Sequence, residues 1–235
     1  MKGIILAAGL GSRLKRRTES LPKALLPVNG IPLIDYAIDF LDNHVEELIV
    51  VGGYCFSQLK SHLEAKGLDR LTLIENPDYS EGSILTIEKA LDHLNDSFLL
   101  MNVDHIYPKA FITRIVSNIK GITGICDFDR KLGEDDMKVK LNKESQIVRI
   151  DKKLRDYDGG YIGMTSCHGD AASQYQKAVQ KAMEKGGRKV NVEYVLQLLA
   201  EDGFLPNTLD LSGSIWLEID DEKDLQQAEE QIKKM

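Results

Sequence analysis

The first thirty residues constrain this chain more than any other stretch. A strand-length apolar run, Gly3-Ile4-Ile5-Leu6-Ala7-Ala8, enters the turn Gly9-Leu10-Gly11-Ser12-Arg13 and a basic burst, Lys15-Arg16-Arg17. Leu21-Pro22-Lys23-Ala24-Leu25-Leu26-Pro27-Val28 follows. A buried strand that ends in glycines and small residues brings backbone amides within reach of an anion, and the arginine and lysine beyond it supply charge. Glycine also punctuates ordinary turns, so Gly-x-Gly alone is a weak signal. The lysine strengthens it. Lys23 is held between two prolines that stiffen its backbone on both sides, a costly arrangement for a merely solvated side chain. Leu6, Ala7, Ala8, Gly9, Gly11, Ser12, Arg13 and Lys23 therefore read as one wall of a phosphate cradle.

Two common nucleotide motifs do not fit. A P-loop needs Gly-x-x-x-x-Gly-Lys-Ser/Thr, and no lysine follows these glycines at that place. A dinucleotide fingerprint needs a third glycine or alanine, where this chain has Leu14. Charge narrows the ligand. Lys+Arg 30 against Asp+Glu 37 gives a net charge of -7, which argues against nucleic acid or an anionic membrane as partner. A basic cluster from Arg13 to Lys23 within an acidic protein points to a small anionic ligand.

At 235 residues, 43% hydrophobic and 29% charged, the chain suits one globular α/β domain, or that domain with a small appendage, rather than disorder. Cys55, Cys126 and Cys167 are widely spaced and lack metal-ligand spacing, so they read as passive thiols. The N-terminal apolar run is too short for a signal peptide, and nowhere do 18 or more apolar residues run together. The expectation is a soluble cytoplasmic protein with no membrane segment. Homo-oligomerisation is left open.

From Met1 to about Phe111, strand-like and helix-like runs alternate as in a parallel α/β layer. Gly3 to Ala8, Glu47 to Val51, Leu71 to Ile74 and Phe98 to Met101 are the predicted strands. Helices are predicted after Pro32, from Phe56 toward Gly67, and from Ile84 to Leu94. After about Gly121 short strands dominate: 122–128, 137–141, 146–150 and 161–165, with a hairpin at 142–145. Helices at 170–186 and 191–200, with Asn191 as a candidate cap, precede strands at 204–211 and 215–219 and a last helix from Asp221. Residues 1–235 thus read as one domain: a nucleotide half over about 1–120 and an acceptor half over about 121–235.

Two acidic positions stand out. Asp104 lies where a predicted parallel strand stops, the place where open α/β sheets bind ligands. It reads either as a cap or as a metal ligand, and the cradle at the end of the first strand favours metal. In Trp216-Leu217-Glu218-Ile219-Asp220-Asp221, alternation puts Glu218 and Asp220 on one face of a strand. Either this is a solvated edge leading to the cap of the last helix, or Asp220 meets Asp104 across a cleft. Two carboxylates and triphosphate oxygens can hold a hard divalent ion, Mg2+ above all.

The pattern Leu-Ala-Ala-Gly-x-Gly-Ser/Thr-Arg followed by Pro-Lys-x-Leu-Leu-Pro-Val resembles the signature of nucleotidyltransferases that join a nucleoside triphosphate to a phosphorylated small molecule. Within them the chain is similar to the inositol-1-phosphate cytidylyltransferases. Val103-Asp104-His105-Ile106-Tyr107 matches their Gly-Asp-His-Val-Tyr metal motif, and Trp216 to Asp220 their Trp-x-Asp-Val-Asp. Met137-Lys138-Val139 through Lys152-Lys153-Leu154-Arg155-Asp156-Tyr157-Asp158 resembles their later segments. Val103 for glycine and Glu218 for aspartate are departures, and they bear on the acceptor more than on the chemistry.

The resemblance implies a Rossmann-like, GT-A-like fold with a mostly parallel central sheet, flanking helices and a small β-rich acceptor region. It implies CTP as donor, Arg13 and Lys23 on the triphosphate, and Asp104 and Asp220 on Mg2+. Glu81-Gly82-Ser83 resembles the loop that approaches base and ribose. Lys138 and Lys152 are candidates for the acceptor's phosphate, although strand lysines are ordinarily solvated. His105 either orients a metal ligand or packs beneath the site. The expected reaction is transfer of CMP to a phosphorylated alcohol with pyrophosphate leaving. A sugar-1-phosphate or choline-phosphate nucleotidyltransferase is the alternative within enzymes, and a catalytically silent nucleotide-binding module the alternative outside them.

Overall fold

Strand β1 (Lys2–Ala7) is buried on both faces, with Ile4 and Leu6 in one hydrophobic core and Ile5 and Ala7 in the other. That burial is the pattern of a central parallel strand covered by helices on both sides. The computed structural model describes residues 1–234, apart from the side chains of Lys15 and Lys234; Lys15 of the basic burst therefore lies outside the described residues.

Along the chain come the ribbon β2 (Pro27–Val28) and β3 (Ile31–Pro32), α1 (Leu33–Leu41), β4 (Glu47–Gly52), α2 (Phe56–Ala65), β5 (Leu71–Glu75) and α3 (Ile84–Lys89). Next are β6 (Phe98–Asn102), β7 (His105–Ile106), α4 (Lys109–Val116), β8 (Ile122–Asp127), β9 (Lys138–Leu141) and β10 (Ile147–Asp151). The chain closes with β11 (Gly159–Cys167), α5 (Gly169–Gly186), α6 (Tyr194–Glu201), β12 (Asn207–Asp210), β13 (Leu217–Glu218) and α7 (Glu222–Gln231).

β5, β4, β1 and β6 pair in parallel in that order. β11 then runs antiparallel to β6, carries β8 on its other side, and pairs at its start with β9 of the β9–β10 hairpin. β12 adds in parallel to β8. The mixed α/β architecture expected from the alternating pattern is the one observed. Helices α1, α2, α4 and α7 cover one face of the sheet, and α3, α5 and α6 the other. In α1, Leu33, Ala37, Phe40 and Leu41 are buried at the spacings of three and four that predict it, directly after Pro32, whose fixed φ favours a helix start. No helix among the described residues is long and apolar enough to cross a membrane.

Several predicted elements change extent. The helix expected over 84–94 breaks after Lys89 into a separate 3₁₀ turn at Leu91–His93. The strand expected over 204–211 narrows to Asn207–Asp210, and that over 215–219 to Leu217–Glu218. Asn191 caps nothing: α6 starts three residues later, after Glu193, with no side-chain cap. Asp221 does cap α7, accepting from the N–H groups of Lys223 and Asp224 while the Asp224 carboxylate accepts from the N–H of Asp221. All three cysteines are free thiols, with Cys126 and Cys167 buried.

Two connections place the site. Val103 N–H donates to Leu6 O at 3.1 Å, so the chain leaving β6 stays beside the end of β1. The β7–β13 ribbon pairs His105 with Glu218 and Ile106 with Leu217, and Ile219 N–H donates to Asp104 O at 2.9 Å. Residues far apart in sequence are thereby laced together at the carboxyl ends of β1 and β6.

Candidate active site

The cradle forms because β1 stops at Ala7 and the chain turns through Gly11, whose φ is +65°. A side chain there would be strained, and its Cβ would stand 3.2 Å from Cβ and Cγ of Lys23. The loop is closed by Thr18 Oγ1 donating to Gly11 O at 2.9 Å, and by Leu14 N–H donating to the same carbonyl. Pro22, at φ -65°, leads straight into Lys23. Glycine and proline thus fix the base of the lysine stem before any ligand arrives.

Lys23 is only 6% exposed, and its ammonium bridges the two acidic positions: 2.6 Å to Asp104 Oδ2 and 2.8 Å to Asp220 Oδ1. Arg13 Nη2 donates to Asp220 Oδ2 at 2.6 Å and Nη1 to Asp135 Oδ2 at 3.2 Å. His105 Nδ1 lies 2.8 Å from Asp104 Oδ1, and its Nε2 lies 3.8 Å from Glu218 Oε1. Asp104 and Asp220 converge on the Lys23 ammonium, and the Asp220 side chain is only 22% exposed, so it does not lie on a solvated edge, although Asp221 does cap α7 as that alternative expected.

The electrostatics follow from these contacts. Burial opposes the charged form of Lys23, but Asp104 and Asp220 outweigh it and hold its pKa above the ordinary lysine value. Burial likewise opposes ionisation of Asp104, yet Lys23 and His105 keep its carboxyl well below the usual carboxylate range. His105 is pulled in opposite directions, down by burial and up by Glu218 and Asp104, with a net rise. Burial pushes the carboxyls of Glu218 and Glu193 up.

Beneath the carboxylates lies an aromatic support. The His105 ring is stacked near-parallel with Tyr107 at 5.7 Å and with Trp216 at 5.6 Å. Trp216 Nε1–H donates to Asp127 Oδ2 at 2.8 Å, and the Arg130 guanidinium lies 4.1 Å over its ring. Tyr107 donates its hydroxyl to Ile162 O. β11 passes so close that a Cβ at Gly163, φ +77°, would stand 2.9 Å from the His105 ring. The irregular register of β11 against β8 spans this position. His105 therefore orients Asp104 and also packs beneath it.

Beside the carboxylates opens a cavity of about 210 Å³, lined among others by Ser83, Asn102, Lys152, Tyr161, Asn191 and Glu193. The structure brings Arg13, Lys23, Asp104, Asp220, Ser83 and Lys152 into one region; Leu6, Ala7, Ala8 and Gly9 do not line its cavity. Lys138 is the correction. It is buried, and its ammonium donates to the carbonyls of Gly133 at 2.7 Å, Lys152 at 2.8 Å and Asp136 at 3.2 Å, which ties the 133–136 loop instead of facing the cavity. Glu81 is also turned away: Arg188 holds it through two hydrogen bonds, at 2.7 and 2.9 Å. Gly82 packs where a Cβ would meet backbone atoms of 188–190 at 2.5 to 2.8 Å, and Ser83 Oγ accepts from Val192 N–H at 2.9 Å. The loop predicted to approach the base is thus clamped to the segment that carries Asn191 and Glu193.

Sequence reasoning missed Asn102, Asp135, Tyr161, Gly163, Asn191 and Glu193. Only Gly163 carried a signal, being a glycine inside a strand pattern, which marks a bulge or a close approach.

The chain is similar to known proteins over nearly its whole length. It is 26% identical over 231 residues to the bifunctional IPC transferase and DIPP synthase of Rubrobacter xylanophilus, covering 97% of this chain and 51% of that protein. The chain thus spans about half the length of the curated relatives it matches. Among solved structures it resembles the inositol-1-phosphate CTP transferase from T. maritima, with TM-score 0.82, 22% identity, and coverage of 99% of this chain and 96% of that one. It also resembles the CTP:phosphocholine cytidylyltransferase from Streptococcus pneumoniae, with TM-score 0.79, 23% identity and 98% of each chain covered. At these identities the structural likeness establishes the fold. The model of the MobA-like NTP transferase domain matches residues 3–133, more than half of the chain, a span that contains the glycine turn, Lys23 and Asp104. The chain belongs to the MobA-like NTP transferase domain family.

Proposed function

We propose that the protein transfers CMP from CTP to a phosphorylated alcohol such as inositol 1-phosphate, releasing pyrophosphate. The observation that carries this reading is the convergence of Lys23, Arg13, Asp104 and Asp220 at the carboxyl ends of β1 and β6, beside a polar cavity. The names of the relatives and of the solved structures support the donor and the class of acceptor.

An oxygen of the acceptor's phosphate attacks the α-phosphorus of CTP in line; the new O–P bond forms as the bond to the bridging oxygen of pyrophosphate breaks. A phosphate monoester has its second pKa near about 6, so no strong general base is required, and the protein's task is positioning and neutralisation of charge. Lys23 holds the α-phosphate as charge develops on it. Arg13 takes the departing pyrophosphate. The N–H groups of the glycine turn line the triphosphate, and Ser83 borders the nucleoside. Lys152 faces the acceptor's phosphate, while Asn191 and Glu193 accept or donate hydrogen bonds to its hydroxyls.

Asp104 and Asp220 fit a hard divalent cation, because their oxygens already converge on one ammonium. No group of three or more His, Cys, Asp or Glu among the described residues is placed to hold a metal, so an ion on Asp104 and Asp220 would need substrate oxygens to complete its coordination. When bound there, Mg2+ supplies neutralisation of the triphosphate charge. On this reading the enzyme works in the cytoplasm with no nucleic-acid partner.

The test is a pyrophosphate-release assay that crosses CTP, UTP, dTTP and GTP with inositol 1-phosphate, choline phosphate, glycerol phosphate and hexose 1-phosphates. Release with CTP and a polyol phosphate is the expected outcome. Choline phosphate is the rival acceptor, favoured by the Streptococcus pneumoniae likeness, and preferential turnover of it would replace the polyol. No release with any pair would leave a nucleotide-binding module.

A further inference from the structure

Lys23 stands where a divalent ion would have to stand. Each of the four carboxylate oxygens of Asp104 and Asp220 has a cationic or imidazole partner: Lys23 on Asp104 Oδ2 and Asp220 Oδ1, His105 on Asp104 Oδ1, and Arg13 on Asp220 Oδ2. A free acidic pair would be an open trap for cations. This pair is already neutralised, and a second positive ion within bonding distance of both carboxylates would meet the Lys23 ammonium at close range.

The lysine is also built to leave. Its backbone and the base of its stem are fixed by Pro22 and by the contacts with Gly11, so only the outer part of the side chain can move. Arg13 is half-exposed and ends its reach on the same carboxylate. Both charges lie on the cradle side of the cleft, where triphosphate oxygens would give each of them a better partner.

We propose that Lys23 is a plug in the cation site: the protein without nucleotide takes up divalent ions poorly, and the triphosphate opens the site by drawing Lys23 and Arg13 onto its own oxygens. This rests on the reading of Asp104 and Asp220 as cation ligands. Nucleotide then enters before the ion or together with it, and free divalent ions in excess do not occupy the empty enzyme. The plug also spares the two carboxylates their mutual repulsion between turnovers.

The test uses Mn2+ alone, followed by electron paramagnetic resonance on the nucleotide-free protein. Lys23→Met should bind Mn2+ at least roughly tenfold more tightly than wild type, because a charge in contact with both ligands is gone. Adding Asp220→Asn should abolish that gain, and Mn2+ should raise the Tm of Lys23→Met but not of wild type. If Lys23→Met does not fold, Lys23→Gln, which keeps a polar tip without the charge, takes its place. Equal Mn2+ affinity in wild type and variant overturns the plug. Wild-type pyrophosphate release in excess chelator separates the two levels: turnover lost in chelator with equal Mn2+ binding keeps the cation site and rejects the plug, whereas undiminished turnover rejects both.

Discussion

The two walls of the cleft are made in opposite ways. The cradle wall comes from one stretch, residues 6–28, and is shaped by backbone: a strand end, the positive φ of Gly11 and the prolines that flank Lys23. The opposite wall is gathered from separate segments around 135, 152, 161, 191 and 218, brought together by the β9–β10 hairpin, by β11 and by the β7–β13 ribbon. A wall made of backbone has few ways to vary, because the geometry demands particular residues. A wall made of side chains on a scaffold can change its lining without changing its fold. On the proposed function, the first serves the shared triphosphate and the second the acceptor.

That division can be broken experimentally. Gly11→Ala should have the largest effect, a loss of about 10²-fold in kcat, since a Cβ in this strained conformation pushes on the stem of Lys23 and displaces its ammonium. The loss should be the same with two different acceptors, with the circular dichroism spectrum unchanged. A loss confined to one acceptor would erase the distinction between the walls. Glu193→Gln should raise the acceptor KM by about tenfold, the cost of one weakened hydrogen bond to an ionised partner, while the KM for CTP stays put. Movement of both constants would mean that Glu193 serves the nucleotide.

The smallest effect should come from the helix that follows Asp220. Asp221→Ala removes the cap of α7 and should cost about 1 kcal/mol, read as a lower Tm. Hydrogen bonds from the N–H groups of Asp224 and Lys223, working against slight burial, hold the Asp221 carboxyl below its ordinary value. A depressed folded-state pKa stabilises above the unfolded value and loses that stabilisation as pH falls through the folded one. The gap between wild type and variant should therefore be full above about pH 5 and shrink below about pH 4. Lower kcat in this variant at unchanged acceptor KM would tie the cap to the position of Asp220 as well as to stability.

The same contrast explains what could be read beforehand. The central parallel strands β1, β4 and β6 were legible because both of their faces are buried, which leaves continuous apolar runs such as Ile4 to Ala7 and Phe98 to Met101. Lys23 was legible through its prolines, and Asp104 through its place at a strand end. Lys138 was misread because a lysine on a strand looks the same whether it faces a ligand or four carbonyls of its own chain. Glu193 left no mark, since nothing local distinguishes a carboxylate that lines a cavity from one that faces water, and Asn191 was read as a helix cap, because an asparagine near a helix start looks the same whether it caps or lines a cavity. The meeting of Asp104 with Asp220 was half visible: alternation gave the face, but the pairing of β7 with β13 is a long-range fact.

The chain contains a single tryptophan, and it is Trp216, stacked on the imidazole that holds Asp104. The molecule thus carries its own optical reporter directly beneath the site. Any event that reorients His105 or shifts charge around Asp104 changes the surroundings of that indole and of no other, so intrinsic fluorescence can follow the arrival of nucleotide, ion and acceptor in real time without a label.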